Sequence, residues 1–286
     1  MIKFGPGGNC EDFYEQGGKS SMDIPAWLKK VGLNAYEYEC GRGVKISDES
    51  AERLGELARE NGISLSVHAP YFTNISSVEE ERIDKTIAYI MQSANAAKHM
   101  GASRVVVHMG AAKDITRAYA MEISKTTMTR ALKELDDAGL GDITLCPETM
   151  GKINQMGTLE EVLQLCAMDE RLVPTIDFGH LNARSIGGIN TKEDYEVIIK
   201  KMHKKLGEYR AKNFHAHFSK IEFTKGGEKR HVTFDNIEYG PLFEPLAELL
   251  VEYNLTPTII CESAGTQTKD ALYMQNCYKK VKEGLL

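Results

Sequence analysis

Short apolar runs rich in β-branched residues recur along the chain, separated by longer amphipathic stretches. Ile2–Gly5, Ala35–Glu39, Leu65–His68, Arg104–His108, Ile143–Pro147, Val173–Asp177, Asn213–His217 and Thr258–Glu262 read as eight strands. Ser47–Asn61 reads as a helix with Ser47 as N-cap and Glu49 and Glu52 in its first turns. Val78–Met100 is a second helix, stopped by Gly101, and Thr191–Tyr209 and Pro241–Tyr253 follow later strands. Alternating strands and helices predict a parallel sheet, and eight such units close into an α/β, (β/α)8 TIM barrel. A barrel of roughly 250 residues takes up nearly all of the 286-residue chain, so residues 1–286 read as a single domain. The competing architecture, an open doubly wound sheet, usually carries Gly-x-Gly-x-x-Gly after its first strand. Gly5-Pro6-Gly7-Gly8 does not match that spacing and reads as a strand-to-helix loop of a barrel.

Composition changes this picture little. Apolar residues make up 42% of the chain and the net charge is −6. That balance argues against coating nucleic acid through bulk charge, while bound cations with a few Arg or Lys can still dominate one face. The start lacks the long apolar stretch of a secretory leader, and no run approaches the roughly 18–20 apolar residues of a membrane span. The six cysteines show no Cys-x-x-Cys spacing and read as free thiols of a cytoplasmic protein. We expect a monomer with no membrane partner.

The ionisable residues are the informative feature. Successive strands end in His68, His108, Glu148, Asp177 with His180 three residues on, His215 and His217, and Glu262; His231 follows in a loop. The C-terminal ends of barrel strands face the site of chemistry. A lone His there is more often a hydrogen-bonded structural residue, but six neighbouring strands repeat the pattern. Burying so many polar groups unpartnered costs several kcal/mol each, and shared cations remove that cost. Imidazole with carboxylate suits zinc, manganese or iron rather than calcium. His99 and His203 fall within helical stretches and read as packing or surface residues.

At these residues the chain resembles the endonuclease IV family (AP endonuclease family 2), metal-dependent barrel enzymes of DNA repair. The resemblance rests on His68-Ala-Pro-Tyr71, His108-Met-Gly110, Asp177-Phe-Gly-His180, His215 with Lys220 five residues on, Arg230-His231 and Glu262. The wider xylose isomerase-like barrel superfamily shares part of the set. The resemblance implies two or three zinc ions, with manganese or iron as substitutes. His68 and His108 would hold the first, Asp177, His215 and Glu262 the second, and His180 and His231 the third. Glu148 would bridge the first two and act with Glu262 at the reacting centre. Arg42, Tyr71, Phe72, Lys220 and Arg230 would contact double-stranded DNA bearing abasic or 3′-blocked lesions, cut on the 5′ side of the abasic site.

Two positions depart from the family. It has Glu-Asn-Thr where this chain has Pro147-Glu148-Thr149, and a one-residue shift turns a strand side chain to the other face unless a bulge restores it. It has Asp-Arg-His where this chain has Lys229-Arg230-His231, and a charged Lys cannot ligate. Glu222 and Glu228 are out of register with that Asp, so a weakened third site is expected. A metal-dependent sugar isomerase or epimerase is the alternative reading, and a barrel that binds metal and DNA without turnover is a third. The basic run Lys220, Lys225, Lys229 and Arg230 is either a phosphate contact or a solvated loop.

Overall fold

The computed structural model describes residues 1–113 and 115–285. Eight parallel strands form the expected barrel: β1 (Lys3–Pro6), β2 (Ala35–Glu39), β3 (Ser64–His68), β4 (Arg104–His108), β5 (Thr144–Glu148), β6 (Thr175–Asp177), β7 (His215–Phe218) and, last in the chain, β10 (Thr258–Cys261). The ladder runs β1-β10-β7-β6-β5-β4-β3-β2. An antiparallel hairpin, β8 (Lys220–Thr224) and β9 (Gly227–Val232), stands on the rim after β7. The hairpin falls where the sequence pattern predicts no element.

Helices cover the outside: α1 (Glu11–Glu15), α2 (Ile24–Val31), α3 (Asp48–Asn61), α4 (Glu80–Met100), α5 (Arg117–Asp137), α6 (Leu159–Cys166), α7 (Phe178–Arg184), α8 (Lys192–Lys212), α9 (Glu244–Glu252) and α10 (Gln267–Lys282). Their ends follow local chemistry. Ser47 accepts from the Ser50 amide at the start of α3, Thr191 and Asp194 form a capping box on α8, and Gly101 takes the left-handed conformation that ends α4. None of the described helices is long and apolar enough to cross a membrane.

Period-two alternation sorts the strand residues into two cores. Val105, Val107 and Leu145 face the helices and join the main apolar cluster. Val106 and Cys146 face inward and pack with Val173. The inward residues nearest the C-terminal ends are therefore the polar ones. All six cysteines are buried and free.

The barrel closes between β1 and β2 with little ladder pairing. Asn34 donates its backbone N–H to Phe4 O at 3.1 Å, Gly8 donates to Glu37 O at 3.0 Å, and Phe4 N–H reaches Asn34 Oδ1 at 2.8 Å. Close approach depends on Gly5, because a Cβ there would lie 1.8 Å from Ala35 O. Gly5→Ala is expected to force the seam apart and cost about 3 kcal/mol, the upper range for overpacking. Urea denaturation of the variant checks this; an unchanged midpoint would mean the seam yields freely.

Candidate metal centre

The strand ends gather their ionisable side chains into one layer at the mouth. His108 stands directly across from Glu148 in the β4–β5 ladder, which is regular throughout. Strand β5 runs one residue further than predicted, so Glu148 shares the inward face of Cys146 and needs no bulge. Asp177 ends β6 and also caps α7, accepting the His180 amide at 2.7 Å. A helix therefore starts between Asp177 and His180, and that turn brings both side chains to the site.

Potential ligand atoms fall into groups lying within 4.8 Å of one another. Among the described residues they include His68–His108–Glu148, Glu148–Asp177–His217–Glu262, and His180–Glu228–His231. Glu148 belongs to the first two. Zinc bonds of 2.0–2.1 Å in tetrahedral geometry place ligand atoms about 3.3 Å apart. The spacings here bracket that value. His108 Nε2 and His68 Nε2 lie 3.1 and 3.4 Å from Glu148 Oε2, His217 Nδ1 lies 3.2 Å from Glu148 Oε1 and 3.3 Å from Glu262 Oε1, and His180 Nε2 lies 3.5 Å from Glu228 Oε2.

Other contacts aim the imidazoles. His68, His108 and His180 each place Nδ1 on a backbone carbonyl, of Ala69 (2.7 Å), Tyr71 (2.8 Å) and Thr149 (2.9 Å), and His231 Nδ1 lies 2.8 Å from Ser219 Oγ. Nε2 of each ring is thereby free for the cluster. Glu148 Oε2 and Asp177 Oδ2 are buried without a hydrogen-bond partner. Orphaned carboxylate oxygens inside a ring of imidazoles fit bound cations.

His217, rather than His215, joins the second group. Two residues apart on one strand, both face inward, but His215 sits one layer deeper, with Nε2 2.9 Å from Glu37 Oε2. Sequence reasoning missed Glu37. It is wholly buried, lies 2.7 Å from His217 Nε2 through Oε1, and accepts from Ser66 Oγ at 2.6 Å through Oε2. This carboxylate turns His217 Nδ1 toward Glu148 and Glu262. The available signal was inward parity within Ala35–Glu39.

Glu228 is the second correction. The hairpin register slips between Glu222 and Phe223, so Glu222 pairs with Arg230 and Phe223 with Glu228, leaving Lys229 as the extra residue of a β-bulge. Glu228 and His231, three apart, therefore both reach His180. Lys229 turns out to solvent and pairs with Glu222, as does Arg230. Gly151 makes room, since a Cβ there would lie 2.6 Å from Glu228 Cβ and 3.0 Å from His180 Cδ2.

The remaining predicted residues divide. Arg42 is exposed in the loop after β2. Tyr71 and Phe72 are 55% and 42% exposed and meet edge to face at 5.4 Å beside His108. Lys220 is buried instead, its Nζ donating to the carbonyls of Phe234 (2.8 Å) and Asn236 (2.6 Å). It braces a loop with two of its three donors.

Electrostatics follow from crowding. Burial alone would raise Glu148, but His217 and His108 hold it well below the carboxylate range. Burial opposes protonation of His68, yet Glu39 and Glu148 push it up to about 10. Burial, with Glu148 and Asp177 nearby, pushes Glu262 up to about 8 against the pull of His217. Deeper down, burial depresses His215 to about 4.

A barrel mouth lined by imidazoles and carboxylates in these groupings defines a candidate metal-dependent enzyme. The family model for the xylose isomerase-like TIM barrel matches residues 25–277, and the chain belongs to that family. An uncharacterized protein of Methanocaldococcus jannaschii is 31% identical over 284 residues, 98% of each chain. A probable endonuclease 4 of Symbiobacterium thermophilum is 31% identical over 180 residues, 59% of this chain and 63% of that protein. Among solved structures, a D-tagatose 3-epimerase-like protein superposes with a TM-score of 0.72 at 20% identity, covering 99% of this chain and 98% of the other. Endonuclease IV from Thermus thermophilus does so with a TM-score of 0.68 at 18% identity, covering 99% of both. At those identities the structural likeness is one of fold.

Two variants test the groupings. Glu228→Gln should lower the metal bound per chain by one, whereas Lys229→Ala should leave it unchanged; equal losses would reject the bulge assignment. Glu37→Gln should weaken metal binding by about 10–100-fold, the usual effect of losing a carboxylate that orients a ligating His. Titration against a competing chelator reads it, and unchanged affinity would make Glu37 a packing residue only.

Proposed function

We propose that this protein is a metal-dependent phosphodiesterase that hydrolyses DNA on the 5′ side of abasic sites. It holds two or three divalent ions, zinc being the best match to its imidazole and carboxylate donors. The observation that carries this reading is the pair of His-rich groups flanking the central quartet. An isomerase acting through one cation would use Glu148, Asp177, His217 and Glu262 and leave His68, His108, His180, Glu228 and His231 without a role. The relatives named probable endonuclease 4 support the same choice.

Bound cations would supply Lewis acidity, a nucleophile at neutral pH and stabilisation of the leaving oxygen. The chain's own residues do the rest. Glu148 ties two ligand groups together, and Glu262 closes the quartet on the opposite side of His217. Glu37 and the carbonyls of Ala69, Tyr71 and Thr149 hold the rings in one orientation. Tyr71 and Phe72 form an exposed apolar pair at the rim, suited to stacking on bases or wedging into a lesion. Arg42 and Arg230 are placed to meet phosphates, and discrimination comes from deforming the duplex rather than reading base edges.

A metal-dependent sugar epimerase is the second reading, favoured by one observation: the central quartet is complete by itself.

Metal content separates the two. Two or three ions per chain, with cleavage 5′ to a tetrahydrofuran abasic analogue in duplex DNA, is the expected result. One ion, with no cut in zinc, manganese or cobalt, would reject the nuclease and direct screening to ketose sugars. Phe72→Ala should weaken abasic duplex binding by about 5–100-fold, as for loss of one base-stacking aromatic, with metal content unchanged. Equal affinity would remove the rim aromatics from the interface.

A further inference from the structure

At the opposite end of the barrel, the starts of β1, β3, β4 and β10 enclose a polar cavity of about 210 Å3. Its lining includes Lys3, Ser64, Ser66, Ser103, Arg104 and Thr258, and none of the described lining residues is a carboxylate. Two cations share this space. Burial holds the Lys3 ammonium below its usual range, and the charge of Arg104 adds to the effect, with no carboxylate offsetting either.

Donors outnumber acceptors here. The guanidinium carries five N–H groups and commits one to Phe214 O at 3.2 Å and one to Asn213 O at 2.5 Å. Those two contacts fix it as part of the cavity wall. The Lys3 ammonium adds three more donors. The hydroxyls of Ser64, Ser103 and Thr258 can donate as well, whereas Ser66 donates to Glu37. Two like charges drawn together in a half-buried, donor-rich recess call for an anion with several acceptor oxygens.

We propose that this floor cavity is an oxyanion site, taking a phosphate or sulfate group between Lys3 and Arg104. Its occupant is the free ion or the phosphate head of a small ester; both present the same oxygens. The site lies far from the metal-type cluster but is joined to it through one residue. Ser66 lines the cavity, and its hydroxyl donates to Glu37, which holds His217.

Calorimetric titration of the metal-loaded protein with inorganic phosphate and with glycerol 3-phosphate tests the assignment. The mouth can also attract phosphate, so His108→Ala serves as a background in which one of its ligand groups is broken. One saturable phosphate site should survive in His108→Ala and weaken at least tenfold in Lys3→Met. Tighter binding of the ester than of the ion would assign the site to phosphorylated metabolites, and the reverse to the free ion. Lys3→Glu covers the case in which the Met variant does not fold, because its carboxylate can pair with Arg104. It should raise the melting temperature and abolish the phosphate site. Absence of saturable binding in the millimolar range, its loss in His108→Ala alone, or wild-type binding in either Lys3 variant would overturn the proposal.

Discussion

A carboxylate buried at the centre of the barrel among histidine rings is the constraint on which the rest of this structure depends. An ionised group in that position costs several kcal/mol unless charge of opposite sign surrounds it. Around Glu148 stand His217, His108 and His180, which hold it ionised despite burial. Those rings are no easier to bury. Protonated, they need Glu148, Glu39 and Glu262; neutral, they leave the carboxylates exposed to one another. Divalent cations resolve both halves at once, since they replace the protons as the positive charge and let each imidazole act as a neutral donor. The cluster is therefore better explained as a binding site than as a structural network.

Such a site must be held by something other than itself. The outward face of every barrel strand joins one continuous apolar core with the helices, so stability resides in the layer that does not carry chemistry. Within the barrel, Glu37 and Ser66 form a polar tier under the cluster and fix His217 from below. Backbone carbonyls fix the other rings. An imidazole oriented by a main-chain oxygen can move only if its strand end moves, which suits a cluster of ligand-type side chains kept in fixed positions.

Much of the architecture was legible because strand and helix periods differ. Eight apolar runs with helical intervals determine a barrel, and inward parity at the strand ends determines which residues face the mouth. The misreadings have specific physical causes. His215 and His217 share parity, and depth along the strand, which parity does not encode, decides between them. Glu37 lies two residues before a strand end rather than at it, so a rule looking only at strand ends passes over it. Lys220 has the charge of a phosphate contact, but the long loop before α9 folds over it and claims two of its donors. The hairpin was missed because its register slip breaks the alternation by which strands are recognised.

Both departures from the endonuclease IV pattern are one-residue displacements of a carboxylate, and the backbone absorbs them by different means. In β5 Glu148 follows Cys146 on the inward face and the ladder stays regular. In β9 the ladder breaks instead: Lys229 is bulged out, and Glu228 arrives where an unbulged strand would have needed a carboxylate two residues before His231. A central parallel strand flanked on both sides has no freedom to bulge without disrupting two neighbours. A two-stranded rim hairpin has that freedom, because only one partner must adjust. Each carboxylate thus reaches the cluster despite its offset in sequence, and the kind of strand that carries it determines how.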